Sequence, residues 1–308
     1  MARYKIKKSG EARKSALFDN RFGEVDKLVK ESFEDKLARV MNSTLIFVFS
    51  YYLIIACYQA VSALMGLALG VTVNLHFYRV TVDNFHPIWN FRNVYLNWGI
   101  GPFVVMLIAL FTFWRRYKVG SKNALVSVGL LWLAVHSVNI LLGQMLMSSI
   151  GGFNFETDFY HGLPVLVAWL EWGDFMYYGA SAVAFLVLIL VGVLWVRPFL
   201  RLSFSQRLVR NYKGKKRYYA QVVVFPALLG SLLISLFYFP KGMALYATYA
   251  LSLLISVASG WIALEYVRKV KVDRNERLQQ FQFPLIAIFI VLVIVTRVFL
   301  LDGLEFRF

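Results

Sequence analysis

The chain has 308 residues, of which 59% are hydrophobic and only 16% are charged, and its 33 Lys and Arg against 17 Asp and Glu give a formal net charge of +16. Soluble domains contain about 45–50% apolar and about 25% charged residues, so the composition excludes an ordinary soluble domain and a disordered basic tail. A single cysteine, Cys57, excludes a disulfide framework, a CxxC redox pair and a thiolate zinc site. We therefore expect an all-α fold, a polytopic integral membrane helix bundle.

The first segment, residues 1–42, is polar and basic. Apolar residues recur at helical spacing through 25–41, with Lys, Glu and Asp between them. This pattern predicts an amphipathic helix on the cytoplasmic membrane surface that runs into the first span. We therefore divide the chain into a cytoplasmic basic segment, 1–42, and a seven-span membrane domain, 43–308.

Runs of about 20 mostly apolar residues, the length needed to cross a bilayer, occur seven times. The second run is the shortest, because Gly99, Gly101 and Pro102 stand at its start. In chain order, the predicted spans are 43–71, 99–114, 123–150, 176–196, 221–239, 243–264 and 283–301.

Basic residues predict the orientation of these spans. The segments 1–42, 115–122, 197–219 and 265–282 contain 28 of the 33 Lys and Arg, and all four lie on one side if seven spans are present. The positive-inside rule then places the N-terminus in the cytoplasm and the C-terminus outside. We also expect these basic segments to contact anionic lipid headgroups rather than nucleic acid, for which the chain has no motif.

The third predicted span has a stripe of small and polar residues. At 100° per residue this stripe contains Gly129, Trp132, His136, Asn139, Gly143 and Met147, with Gln144 beside it. An ionisable side chain in a span normally faces the bundle interior, so His136, Asn139 and Gln144 are candidate binding residues. Hydrogen bonding between helices is the simplest interpretation; a functional cavity, proton handling or a metal ligand are the alternatives.

Further candidates lie at the predicted outer side. Trp169 and Trp172 belong to an aromatic segment that is typical of the membrane interface, and they are candidate binding residues. Arg297, near the end of the last span, could reach the interface, pair with an outer carboxylate or contact an anion. Glu171 and Asp174 are candidate acid–base groups.

Histidines and carboxylates are also metal ligands, and the weak candidates for a metal site are His76, His86, His161 and Asp158. They lack the spacing that puts two ligands on one helix. The sequence 136–140 reads His-Ser-Val-Asn-Ile, without the base and second histidine of an HExxH protease. No cofactor can be named from the sequence.

Three functional hypotheses follow. The first is a non-enzymatic multi-pass membrane protein that acts as a subunit or partner of a membrane assembly, or as a small transport or lipid-handling module. The short loops are typical of a protein of the bacterial cell inner membrane. A protein partner or an oligomer is expected in that case. The second is an intramembrane or outer-leaflet enzyme that uses His136 with the carboxylates Glu171 or Asp174. The third is a carrier of a metal or haem on the outer face.

Overall fold

The computed structural model describes residues 31–76, 79–82, 87–118, 123–151, 166, 171, 173–239, 243–268, 270–273, 277–298 and 303–306. Within them, seven long helices follow the chain: α1, Phe33–Ala68; α2, Phe91–Lys118; α3, composed of Ala124–Val138, Asn139–Gly143 and Gln144–Gly151; α4, Asp174–Arg201; α5, composed of Tyr212–Tyr219, Ala220–Val224 and Phe225–Tyr238; α6, Met243–Ala263; and α7, Phe283–Val298. The middle segments of α3 and α5 are π-helical.

Helices α1 to α5 are long and apolar enough to cross a membrane. The apolar parts of α6 and α7, Tyr249–Ala263 and Phe283–Thr296, are shorter. Each of the seven predicted spans overlaps one of these helices. The prediction of an integral membrane helix bundle is therefore confirmed at the level of class.

Helix α1 begins at Phe33, ahead of the predicted span boundary at residue 43. Ser32 and Asp35 form a capping box, in which the Asp35 backbone N–H donates to Ser32 Oγ at 3.0 Å and the Ser32 backbone N–H donates to the Asp35 carboxylate at 2.9 Å. No Gly or Pro interrupts the next turns, so the end of the polar segment and the first span form one continuous helix. The amphipathic helix predicted for residues 25–41 lies partly outside the described residues.

The prediction for the second span was too short. Helix α2 begins at Phe91 and continues through Pro102, whose missing N–H leaves the carbonyl of Trp98 without its helical donor. The glycine at 101 serves a contact rather than a helix end: a Cβ there would lie 2.8 Å from Cε2 of Tyr58 in α1. Close packing therefore explains a glycine that, from the sequence, resembles a helix boundary.

Helix α1 lies at the centre of the bundle. It packs against α2, α3, α5 and α7. In the most apolar stretch of α1, 61% of the residues are buried, compared with 33% in the corresponding stretch of α4. Lipid tails are as apolar as leucine, so helices associate in a membrane through close packing and hydrogen bonds. Helix α1 provides both, since its buried residues include the polar side chains Asn42, Ser43, Thr44, Ser50 and Gln59.

A small antiparallel sheet, absent from the predicted all-α fold, covers one end of the bundle. Its strands are β1, Val73–Leu75; β2, Val80–Val82; and β3, Leu304–Phe306, in the order β2-β1-β3. Val73 pairs with Val82 on one side and with Phe306 on the other. We call this end of the bundle the sheet end. The C-terminal strand is thus joined to the connection between α1 and α2.

Candidate functional site

His136 is buried at the contact between α1, α3 and α6, and both of its ring nitrogens are hydrogen bonded. Nε2 lies 2.9 Å from the carbonyl oxygen of Phe47, which only accepts, so Nε2 donates. In the neutral imidazole Nδ1 is then an acceptor, and its partner is the hydroxyl of Tyr249. The ring packs edge-on against Phe47 and lies beside Trp132. The imidazole therefore fixes three helices relative to one another.

Asn139 extends this network one turn further along α3. Its Nδ2 donates to the carbonyl of Tyr249 at 2.9 Å, and its Oδ1 lies 3.1 Å from the hydroxyl of Ser252. Gly143 permits this approach, because a Cβ there would lie 2.2 Å from Ser252 Oγ. The π-helical turn of α3 spans Asn139–Gly143, and such turns are frequent at functional sites.

Above this network, toward the sheet end, the bundle contains a cavity of about 60 Å³. One water molecule needs about 10–15 Å³ by this measure, so the cavity can hold a small polar molecule or several waters. Residues from six elements or their flanks line it: Tyr51, Ile55, Tyr58, Gln59, Ser62, Arg79, Val80, Val82, Asn97, Trp98, Ile140, Gln144, Tyr238 and Tyr249.

Asn97 is a buried polar residue in the lining of this cavity. Its side chain is only 4% exposed, and its Oδ1 has no hydrogen-bond partner among the described residues. A buried acceptor in that state costs about 1–3 kcal/mol. The cavity therefore offers an acceptor to a molecule that carries a hydrogen-bond donor.

A tyrosine cluster forms one wall of the cavity. The hydroxyl of Tyr51 donates to that of Tyr238 at 2.9 Å, and the ring of Tyr51 packs against those of Tyr246 and Tyr249 with centroids 5.3 and 5.0 Å apart. Ring packing of this kind adds about 0.5–1.5 kcal/mol per pair to the burial itself. The wall is consequently rigid and amphipathic.

The sheet covers part of the cavity at the sheet end of the bundle. A Cβ at Gly66, near the end of α1, would lie 2.9 Å from Val73 of β1 and 3.3 Å from Val82 of β2. At the other edge Gly303, with φ of 86°, precedes β3 and lies against the ring of His76. Residues that are far apart in the chain therefore position the sheet over the cavity.

A buried cation lies at the opposite end of the bundle. Arg39 is 1% exposed; its guanidinium pairs with Glu31, donates to Oε1 of Gln221 and lies 5.0 Å from the ring centroid of Tyr218. Asn42, one turn further along α1, donates to the carbonyls of Leu278 at 3.0 Å and Gln280 at 2.7 Å. These contacts connect α1, α5 and the segment before α7.

The predicted binding residues His136, Asn139 and Gln144 are brought together. Gln144 lines the cavity, whereas His136 and Asn139 support Tyr249 beneath it. Glu171 and Asp174 are exposed at the start of α4, and Arg297 lies in the last turn of α7. The remaining candidates fall outside the described residues: His86, Asp158, His161, Trp169 and Trp172.

The predicted metal site has no counterpart in the part of the chain that the structure describes. No group of three or more His, Cys, Asp or Glu side chains there could hold a metal ion. His76, the one metal candidate that is described, lies against Gly303. Catalytic and metal-binding roles for the candidates stay predictions.

Most of the residues that line the cavity were not among the predicted site residues. Tyr51, Tyr58, Gln59 and Ser62 follow one face of α1, and Asn97 approaches from α2. Polar and aromatic residues at helical spacing in the first span were the available signal for the α1 face. Asn97 gave no signal, because it lies before the predicted start of the second span.

No protein-family model matches the chain, and no curated protein and no solved structure matches it.

Proposed function

We propose that the chain is a non-enzymatic membrane protein that takes a small polar molecule from the outer side into the cavity beneath the sheet, as a small transport or ligand-handling module. The observation that carries this proposal is the buried, unpaired Oδ1 of Asn97 at the cavity. A binding site built to hydrogen-bond its ligand leaves such a group unpaired without the ligand.

The proposed topology is seven spans with a cytoplasmic N-terminus. In this topology α1 to α7 alternate in direction, so the C-terminal strand lies on the same side as the α1–α2 connection, and the pairing of β1 with β3 supports this. The same topology puts the basic segments at the opposite end, which the positive-inside rule assigns to the cytoplasm. In this topology the sheet end faces outward.

Transport would require the bundle to open at the end opposite the sheet, where Arg39 and Asn42 make their contacts. The contacts of Arg39 and Asn42 lie at the end that the proposed topology assigns to the cytoplasm, and they support the proposal that the conformation described here is closed on that side. The π-helical turns of α3 and α5 are the places where these helices could rearrange, and Pro226 lies two residues after the second turn.

A ligand screen with matched variants tests this function. The purified full-length protein is heated with single small sugars, polyols, amino acids and carboxylates, and its unfolding temperature is measured. A ligand at about 100 times its Kd stabilises the folded state by about 2.7 kcal/mol. We expect at least one probe to raise the unfolding temperature of the wild type.

Asn97→Leu removes the unpaired acceptor at nearly constant volume. This variant should be at least as stable as the wild type without a probe, and it should lose the protection. Ser127→Ala is the control, because Ser127 Oγ is also buried and has no partner among the described residues, but it lies away from the cavity. Equal protection of the wild type and Asn97→Leu, or no protection by any probe, contradicts the proposal.

A further inference from the structure

A long apolar groove lies on the outside of the bundle between α4 and α6, apart from the cavity described above. Its volume is about 760 Å³. Helix α4 contributes Phe185, Ile189 and Val193, and helix α6 contributes Ala258 and Ile262. Several of these side chains are exposed, which in a membrane protein means that they face lipid.

The two helices that line the groove approach each other closely along one line. A Cβ at Gly192 would lie 2.1 Å from the carbonyl oxygen of Ser256, so the backbones are in contact there. Ser256 also donates to the carbonyl of Leu188 at 2.9 Å. Next to this contact the small side chains of Ala258 and Ser259 leave space between the larger residues of α4.

The length of the groove matches one leaflet of a bilayer. Arg197 follows Phe185 by twelve residues on α4, which corresponds to about 18 Å along the helix. The hydrocarbon core of a bilayer is about 30 Å thick, so one leaflet is about 15 Å deep. A single acyl chain could therefore lie along the whole groove.

Charge marks one end of the groove. Arg197 lines that end and is exposed, and Tyr266 beside it is 76% exposed. No carboxylate lines the groove in the part of the chain that the structure describes; Glu265 is exposed next to Tyr266 but is not part of the lining. A guanidinium in this position suits a phosphate, which it can bind with two parallel hydrogen bonds.

We propose that this groove is a binding site for one anionic phospholipid, with an acyl chain between α4 and α6 and its phosphate on Arg197. The assignment to the cytoplasmic leaflet rests on the proposed topology, because Arg197 lies at the end opposite the sheet. The lipid would hold α4 against α6 next to the Gly192 contact. Binding of a small molecule in the cavity is not needed for this site.

Native mass spectrometry of the full-length protein in mild detergent tests the proposal, with phosphatidylglycerol and phosphatidylcholine as probes. We expect the wild type to retain one phosphatidylglycerol per chain in preference to phosphatidylcholine. Ala258→Trp fills the groove, and Arg197→Gln removes the charge; each should lower the bound fraction at least about fivefold, which corresponds to about 1 kcal/mol.

Two controls keep the test specific. Leu190→Trp changes an exposed residue of α4 outside the groove, and Arg210→Gln removes an exposed charge at the same end of the bundle. Both should retain the lipid, and thermal unfolding verifies that all variants are folded. Equal retention of the two lipids, or unchanged retention by Arg197→Gln, overturns the proposal. A dimer that Ala258→Trp dissociates also overturns it, since the groove would then hold a second copy.

Discussion

The carbonyl oxygen of Phe47 in α1 accepts a hydrogen bond from Nε2 of His136 in α3, over a distance of 2.9 Å. The other ring nitrogen of His136 accepts from the hydroxyl of Tyr249 in α6. One imidazole thereby joins the central helix α1 to α3 and α6 on the side of the cavity that lies away from the sheet. This explains why an ionisable residue is placed in the interior of a span without a charged partner in its hydrogen bonds.

His136→Leu removes both hydrogen bonds and leaves two buried groups with fewer partners. Measured values for such bonds between membrane helices average about 0.6 kcal/mol and reach about 1.7 kcal/mol, and a buried group left unpaired adds to this. We expect the free energy of unfolding to fall by about 1–3 kcal/mol in a denaturant titration in mixed micelles. Tyr249→Phe should cost less, and the double variant should be non-additive.

Ser137→Ala is the matched control, because Ser137 is buried in the same turn and its hydroxyl, among the described residues, donates only to the carbonyl of Leu133 in its own helix. Its effect should stay within about 0.5 kcal/mol. A His136→Leu variant as stable as the wild type would show that the network contributes nothing to the bundle.

Gly230→Ala tests the packing of α5 on α1. A Cβ at position 230 would lie 2.3 Å from Cδ1 of Phe47, whose ring is itself held between Trp132 and His136. Overpacking of this kind costs about 1–3 kcal/mol. We expect that loss in the unfolding titration, whereas Gly179→Ala, with nothing within 4 Å of its Cβ, should be neutral or slightly stabilising. Equal behaviour of the two alanine variants would contradict the contact.

Arg39→Met tests the buried ion pair at the end of the bundle opposite the sheet. The variant leaves Glu31, whose side chain is 8% exposed, without its buried cation. Breaking a buried ion pair by removing one partner costs about 3–5 kcal/mol. Adding Glu31→Gln should recover part of that loss, because the unpaired charge is then gone. Arg210→Met, at an exposed position, should change the free energy of unfolding by less than about 0.5 kcal/mol.

The proposed orientation predicts where the two ends of the chain lie. An epitope tag after residue 308 should bind antibody on spheroplasts, which expose the outer face of the inner membrane, because the sheet contains both β3 and the α1–α2 connection. A tag before residue 1 should bind only after the membrane is made permeable. Access to the N-terminal tag on intact spheroplasts, or shielding of the C-terminal one, would contradict a seven-span chain with a cytoplasmic N-terminus.

The positions of the helices could be predicted from the sequence because length and apolarity alone decide whether a segment crosses a membrane. The interior placement of His136 could be predicted for the same reason, since an ionisable group avoids lipid. Its partners could not: they lie on α1 and α6, and Phe47 contributes only a backbone carbonyl, which no side-chain pattern reveals.

The sheet and the cavity depend on contacts between distant parts of the chain. Strands β1 and β3 have three residues each and pair Leu75 with Leu304, so neither is long enough to show an alternating pattern. The predicted start of the second span at residue 99 was wrong, because Gly101 makes room for Tyr58 and does not mark the end of a helix. Cavity residues from separate elements, Asn97 above all, converge only once the bundle has formed.

We infer that the cavity opens to the outer side, and thiol labelling of a cavity residue tests this most directly. Cys57→Ser gives a chain without cysteine, and Ser62→Cys then places one thiol at the cavity, while Ser252→Cys places the control thiol in the closed network at 0% exposure. A membrane-impermeant thiol reagent is added to sealed vesicles of either orientation. We predict that Ser62→Cys reacts from the outer face and that Ser252→Cys reacts from neither. Reaction of Ser62→Cys from the cytoplasmic face alone, or from neither face, would contradict the account.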